Sequence, residues 1–108
     1  MFDYSPTNDS NFTSKICHVL DDENFQLLRD ITPQKLAKTF GERKVEYYEY
    51  ERGYTDPEWY FKSPDGQVAG IGFRWGVPRL RGKHLTEERA NSFIKVVCAM
   101  INIANTRG

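Results

Sequence analysis

Histidine, cysteine, paired glutamate and arginine are the side chains from which this 108-residue chain could build chemistry, and their spacing sorts them quickly. His18 and His84 have no partner at metal-ligand spacing, so neither a metal site nor a cofactor is expected. Cys17 adjoins His18, but consecutive side chains diverge on a helix and oppose one another on a strand, which argues against a thiol–imidazole dyad. Gly70, Gly72 and Gly76 interleave with Ile71, Phe73 and Trp75 instead of joining a strand to a helix start, the pattern of a sheet and not of a phosphate cradle. Glu49 and Glu51 would share a strand face about 7 Å apart. Without an apolar pocket to separate their acidities they read as solubilising charges. No catalytic set emerges, and an enzyme is the weaker reading.

What remains is a basic segment with aromatic neighbours. Arg74, Trp75, Arg79, Arg81, Lys83 and His84 follow one another with no acid between Gln67 and Thr86. Guanidinium forks bind carboxylates, phosphates and carbonyls, while rings give rigid contact area. The expected binding residues are therefore Arg74, Trp75, Arg79 and Arg81, with Tyr50 and Trp59 from the preceding strands. The expected function is a noncatalytic binding or adaptor protein whose partner is another protein, an inhibitor or immunity-type role being one concrete form. A second reading is a small-ligand or enzymatic cavity between sheet and C-terminal helix, using Tyr50, Trp59, Arg74 and His84. A third is binding of single-stranded nucleic acid, with bases stacked on the rings. Fifteen acids against fifteen bases weaken the third, because nonspecific affinity for nucleic acid needs a clustered positive face. The charges are nonetheless uneven: residues 1–60 hold twelve acids and seven bases, and residues 61–108 three acids and eight bases. Halves of opposite sign either neutralise each other within the fold or leave a basic face exposed.

The elements that must position these groups can be read in order. Residues 1–15 form a polar arm, expected to be mobile, with Phe2, Tyr4 and Phe12 able to tether it; residues 16–108 form a single domain. Asp21 and Asp22 offer an N-cap for a helix over 22–31, in which Phe25, Leu28 and Ile31 recur at helical spacing. Thr32 caps a second helix, Pro33 takes its first position and Gly41 stops it. Residues 44–51 read as a strand, residues 52–57 as a loop, and Trp59 to Lys62 as a second strand. Ser63-Pro64-Asp65-Gly66 carries the marks of a type I turn leading into a third strand over 68–75. On that strand Gly70 and Gly72 strip one face of side chains, which invites close approach by a neighbouring aromatic such as Tyr48, Tyr50 or Tyr60, or by a ligand. Residues 76–82 fit either a fourth, edge strand interrupted by Pro78 or an ordered loop. Thr86 caps a last helix that is apolar on most of its circumference. The fold class is thus α+β: two short N-terminal helices, a three-stranded antiparallel meander and a long apolar C-terminal helix packed on it. So broad an apolar surface either lies across the sheet or joins a homodimer through Phe93, Val96, Val97 and Met100.

The run Thr32-Pro33-Gln34-Lys35-Leu36-Ala37-Lys38-Thr39-Phe40-Gly41, with Trp59-Tyr60-Phe61 and Asp65-Gly66-Gln67-Val68 downstream, resembles the small outer-membrane assembly lipoproteins of the SmpA/OmlA type. The resemblance spans residues 32–75 and implies a Thr-capped helix leading into a three-stranded antiparallel sheet whose middle strand carries Trp-Tyr. The assembly function is not carried over: there is no lipoprotein leader or lipidated cysteine, and the proline usual after the helix glycine is missing at Glu42-Arg43. With no apolar leader, no stretch long enough to span a bilayer and Cys17 and Cys98 read as reduced, the expected compartment is the cytoplasm, with no membrane partner.

Overall fold

The structure, a computed structural model, describes residues 3–8, 19–42, 45–49, 52–74, 76–82 and 85–106, with 45–49, 52–56 and 74 as backbone only. Over these residues the order is β1 (Ser5–Thr7), α1 (Asp22–Asp30), α2 (Pro33–Phe40), β2 (Val45–Glu49), β3 (Arg52–Asp56), β4 (Glu58–Lys62), β5 (Val68–Arg74), β6 (Val77–Gly82) and α3 (Glu87–Thr106). The fold is α+β, with an antiparallel sheet ordered β1-β4-β5-β6, a separate β2-β3 hairpin and a long C-terminal helix.

The helices start and stop where their capping residues dictate. Asp21 accepts a hydrogen bond from the Asn24 amide (2.8 Å), Thr32 from that of Lys35 (3.2 Å) and Thr86 from that of Arg89 (3.2 Å). Each satisfies a first-turn donor that has no partner inside its helix. Gly41 ends α2 at a φ of 89°, which a side chain would strain. The turn after β4 closes with the Gly66 amide donating to the Ser63 carbonyl (2.9 Å), and Gly66 again takes positive φ. That turn sets the register of β4 on β5, Lys62 opposite Val68 and, two and four residues further, Tyr60 opposite Gly70 and Glu58 opposite Gly72.

One face of the sheet is the core. Trp59 and Phe61 of β4, Ala69, Ile71 and Phe73 of β5 and Leu80 of β6 meet Phe93, Ile94 and Val97 of α3, all 5% exposed or less. Phe61 and Phe93 pack edge to face with centroids 5.4 Å apart, an arrangement aromatic quadrupoles favour. Leu28 of α1 and Leu36 of α2 close the other side of α3. The helix is therefore covered by sheet and helices together.

Three expectations change. Residues 45–49 do not join the main sheet; they pair with 52–56, the stretch expected to be a loop, across the two-residue connection that hairpins favour. The meander is instead β4-β5-β6, so 77–82 is a strand and not a loop, and Pro78 is accommodated because β6 ends the sheet. The arm is not all loose: Ser5–Thr7 pairs with β4, and Tyr4, 3% exposed, stands edge to face on Phe93 at 5.0 Å. Residues 9–18, with Cys17 and His18, lie outside the described residues.

Candidate functional site

The face of the sheet turned away from α3 holds the arginines, and strand alternation puts them there. Leu80 points into the core, so its neighbours Arg79 and Arg81 point the other way, together with Val77. On β5 the same alternation gives Gly70 and Gly72, and on β4 Glu58 and Tyr60. Two cross-strand rows result: Tyr60, Gly70, Arg81 and Glu58, Gly72, Arg79.

The bare glycines decide what these rows can do. A Cβ on Gly70 would lie 3.1 Å from the Tyr60 ring, and one on Gly72 would lie 3.3 Å from Glu58 Cγ. Tyr60 lies over the first glycine and Glu58 over the second. Glu58, 1% exposed, thereby reaches diagonally across β5 to Arg81, whose Nη1 donates to Oε1 at 3.0 Å. Burial strengthens this pairing and makes it costly to break. Arg81 is committed to the fold.

Arg79 is not. It is half-buried, and its Nε is one of two buried side-chain polar atoms without a hydrogen-bond partner among the described residues, the other being Asn24 Oδ1. Next to it on the same face Val77 is 55% exposed, the margin of the sheet where side chains meet solvent.

The other expected binding residues fare differently. Trp59 is 3% exposed, packs edge to face on Phe73 at 6.0 Å and donates its indole N–H to the Gly41 carbonyl at 2.7 Å. It ties the end of α2 to the sheet and has no surface left for a ligand. Arg74 is described as backbone only, and Tyr50, Trp75, Lys83 and His84 lie outside the described residues. At the expected dimer seam Phe93 and Val97 are 0% exposed within their own chain, with Val96 and Met100 packed against the same core. α1 and α2 cover the side of α3 that the sheet does not.

A second polar cluster pins the β4–β5 turn to α3. The Arg89 guanidinium pairs with both carboxylate oxygens of Asp65 and donates to Gln67 Oε1 at 2.7 Å, while the Tyr4 hydroxyl donates to the same Gln67 oxygen at 3.4 Å. Hydrogen bonds from Arg89, then from the Ser63 hydroxyl, hold the Asp65 carboxyl well below the usual carboxylate range. Burial raises the Tyr4 phenol and, on α3, the Cys98 thiol. Raising a thiol's pKa suppresses its nucleophilic form, and Cys98 packs against the core from α3.

Tyr60 is one of the aromatics expected over the glycine strip and lies on Gly70; local reasoning missed Glu58, although counting back from the Ser63-Pro64-Asp65-Gly66 turn places it opposite Gly72. No group of three or more His, Cys, Asp or Glu among the described residues is arranged to hold a metal ion, and no described helix is long and apolar enough to cross a membrane. Compared with protein-family models, curated proteins and solved structures, the chain matches no family model, no curated protein and no solved structure.

Proposed function

We propose that this chain is a noncatalytic binding protein that presents the β6 margin of its sheet, Arg79 beside Val77, to a protein partner; an inhibitor or immunity-type role is one concrete form. The observation that carries the reading is the division of labour between two arginines on one strand. Arg81 is paired with Glu58, whereas the half-buried Arg79 has no acceptor at Nε among the described residues. Arg79 is half-buried with its Nε enclosed, so the outer part of its side chain is what a partner would meet. An exposed Val77 adds apolar contact next to it, and arginine is a residue type enriched at the energetic centres of interfaces.

The test is capture of a partner by the immobilised wild-type protein, identification of that partner, and titration with both components purified. Arg79→Glu and Val77→Asp should each weaken the purified complex at least tenfold, or about 1.4 kcal/mol. Lys38→Glu, on the exposed side of α2, should leave it unchanged. Equal affinity for all four proteins would remove the β6 margin from consideration.

A further inference from the structure

We propose that the slot between β4 and α3 is a peptide-binding site, held in the free protein by the chain's own residues 4–7 and open to an extended, tyrosine-bearing segment of a partner. It lies at the β1 end of the sheet, opposite the β6 margin, and stands independently of it. Three kinds of contact build the slot. The first is a strand edge: the Phe73 amide donates to the Pro57 carbonyl at 3.3 Å, so alternation along β4 turns the backbone groups of Glu58, Tyr60 and Lys62 toward β1. Such an edge pairs with an added strand whatever its sequence. The second is an apolar floor, the Phe93 ring, on which Tyr4 stands edge to face at 5.0 Å. The third is a polar end, where Gln67 Oε1 accepts from the Tyr4 hydroxyl at 3.4 Å and from Arg89 at 2.7 Å. Floor and end together select a phenol.

What holds β1 is small enough for a partner to replace. Its pairing spans three residues, and by the same alternation only Ser5 and Thr7 face β4 with their amide and carbonyl groups; Pro6, opposite Phe61, has no amide to give. Ser5 and Pro6 are exposed and Thr7 is half-buried, so within residues 4–7 the buried surface comes from Tyr4. A tethered segment competes for its own site at an effective concentration on the order of 1 mM. A partner's segment wins by adding contacts that the arm lacks, and the arm sets the threshold it must exceed.

The probes are a blocked peptide with the sequence of residues 3–8 and its twin with alanine in place of the tyrosine. Added to the full chain carrying Tyr4→Ala, the tyrosine peptide should raise the thermal midpoint saturably and the alanine twin should not. Equal effects of the two peptides, or none from the tyrosine peptide, would overturn the site. If Tyr4→Ala does not fold by itself, recovery of native circular dichroism on refolding with the tyrosine peptide, and not with its twin, carries the same support, and failure to recover the same refutation. In the wild type, proton–nitrogen correlation spectra with up to about 10 mM tyrosine peptide, tenfold above the effective concentration of the arm, should show the Ser5 and Thr7 amide signals move to unfolded-chain positions. Arm signals that stay fixed over that range would show β1 to be a permanent strand. Sedimentation of the wild type alone should give a monomer; a dimer lost on adding the peptide would assign the slot to a second copy's arm instead of a partner.

Discussion

Gly70 shows how much a single missing side chain decides. It lets the Tyr60 ring approach β5, while its neighbour on the same face, Gly72, makes room for the Glu58 side chain that Arg81 engages. Gly70→Ala would place a methyl 3.1 Å from the ring and 3.2 Å from the Trp59 carbonyl oxygen. The ring can shift by a few tenths of an ångström; the paired backbone cannot without disturbing the ladder. Overpacking of this kind destabilises by about 1–3 kcal/mol, and urea unfolding of Gly70→Ala should show a loss in that range. Asp65 is the other residue with a testable signature. Its folded-state pKa is depressed below 3.8, chiefly by Arg89, so the stability it contributes is present above its unfolded pKa and is lost as pH falls toward the folded value. From about pH 4 downward the wild type should therefore lose stability more steeply than Asp65→Asn. Parallel urea midpoints for the two proteins over that range would contradict the assignment.

At the scale of elements, β1 makes the most exposed wager. Only three residues pair with β4, yet the adjoining Tyr4 is buried on Phe93 and bonded to Gln67, so this short strand is fastened by one ring. Tyr4→Ala should cost about 3–5 kcal/mol, the range for removing a buried aromatic, whereas Tyr4→Phe keeps the ring and should cost under about 1.5 kcal/mol. Equal losses, read from thermal or urea unfolding, would show that the hydroxyl and not the packing holds β1. The same element marks where the sequence stops being legible. Capping residues and the β4–β5 turn are local signals, so α1, α2, α3 and that hairpin could be placed to within a residue or two. The pairing of β2 with β3 is local, but Tyr50-Glu51 lacks the Gly or Asn that marks a two-residue turn; the clamp of Arg89 on Asp65, and which of Phe2, Tyr4 and Phe12 docks the arm, depend on long-range packing. For the site, Arg79 and Arg81 were identifiable as a pair, but only the register across β5 separates their roles. Trp59 was misread because strand alternation places it on one face without saying which face is the core.

For the whole molecule, the sheet, α1 and α2 jointly enclose α3, with Phe93, Ile94 and Val97 at 0% exposure inside one chain. Such a core does not need a second copy, so the unfolding midpoint should be independent of protein concentration, and Ile94→Ala should lower stability by about 2–5 kcal/mol at every concentration. A midpoint that rises with concentration would put part of this core in an interface. The opposite charges of the two halves of the chain are partly joined by the fold: Glu58 of the acidic half meets Arg81 of the basic half across β5. Arg79, two residues away, is left outside that neutralisation, and the account rests on this contrast. The most direct test compares urea unfolding of Arg79→Met and Arg81→Met with wild type. Removing the Arg81 charge takes an ion-pair partner from the buried Glu58 and should cost about 3–5 kcal/mol, while removing the Arg79 charge, which has no partner among the described residues, should leave stability unchanged or raise it. Comparable losses in the two variants would show Arg79 to be another structural arginine and would contradict its role as the site.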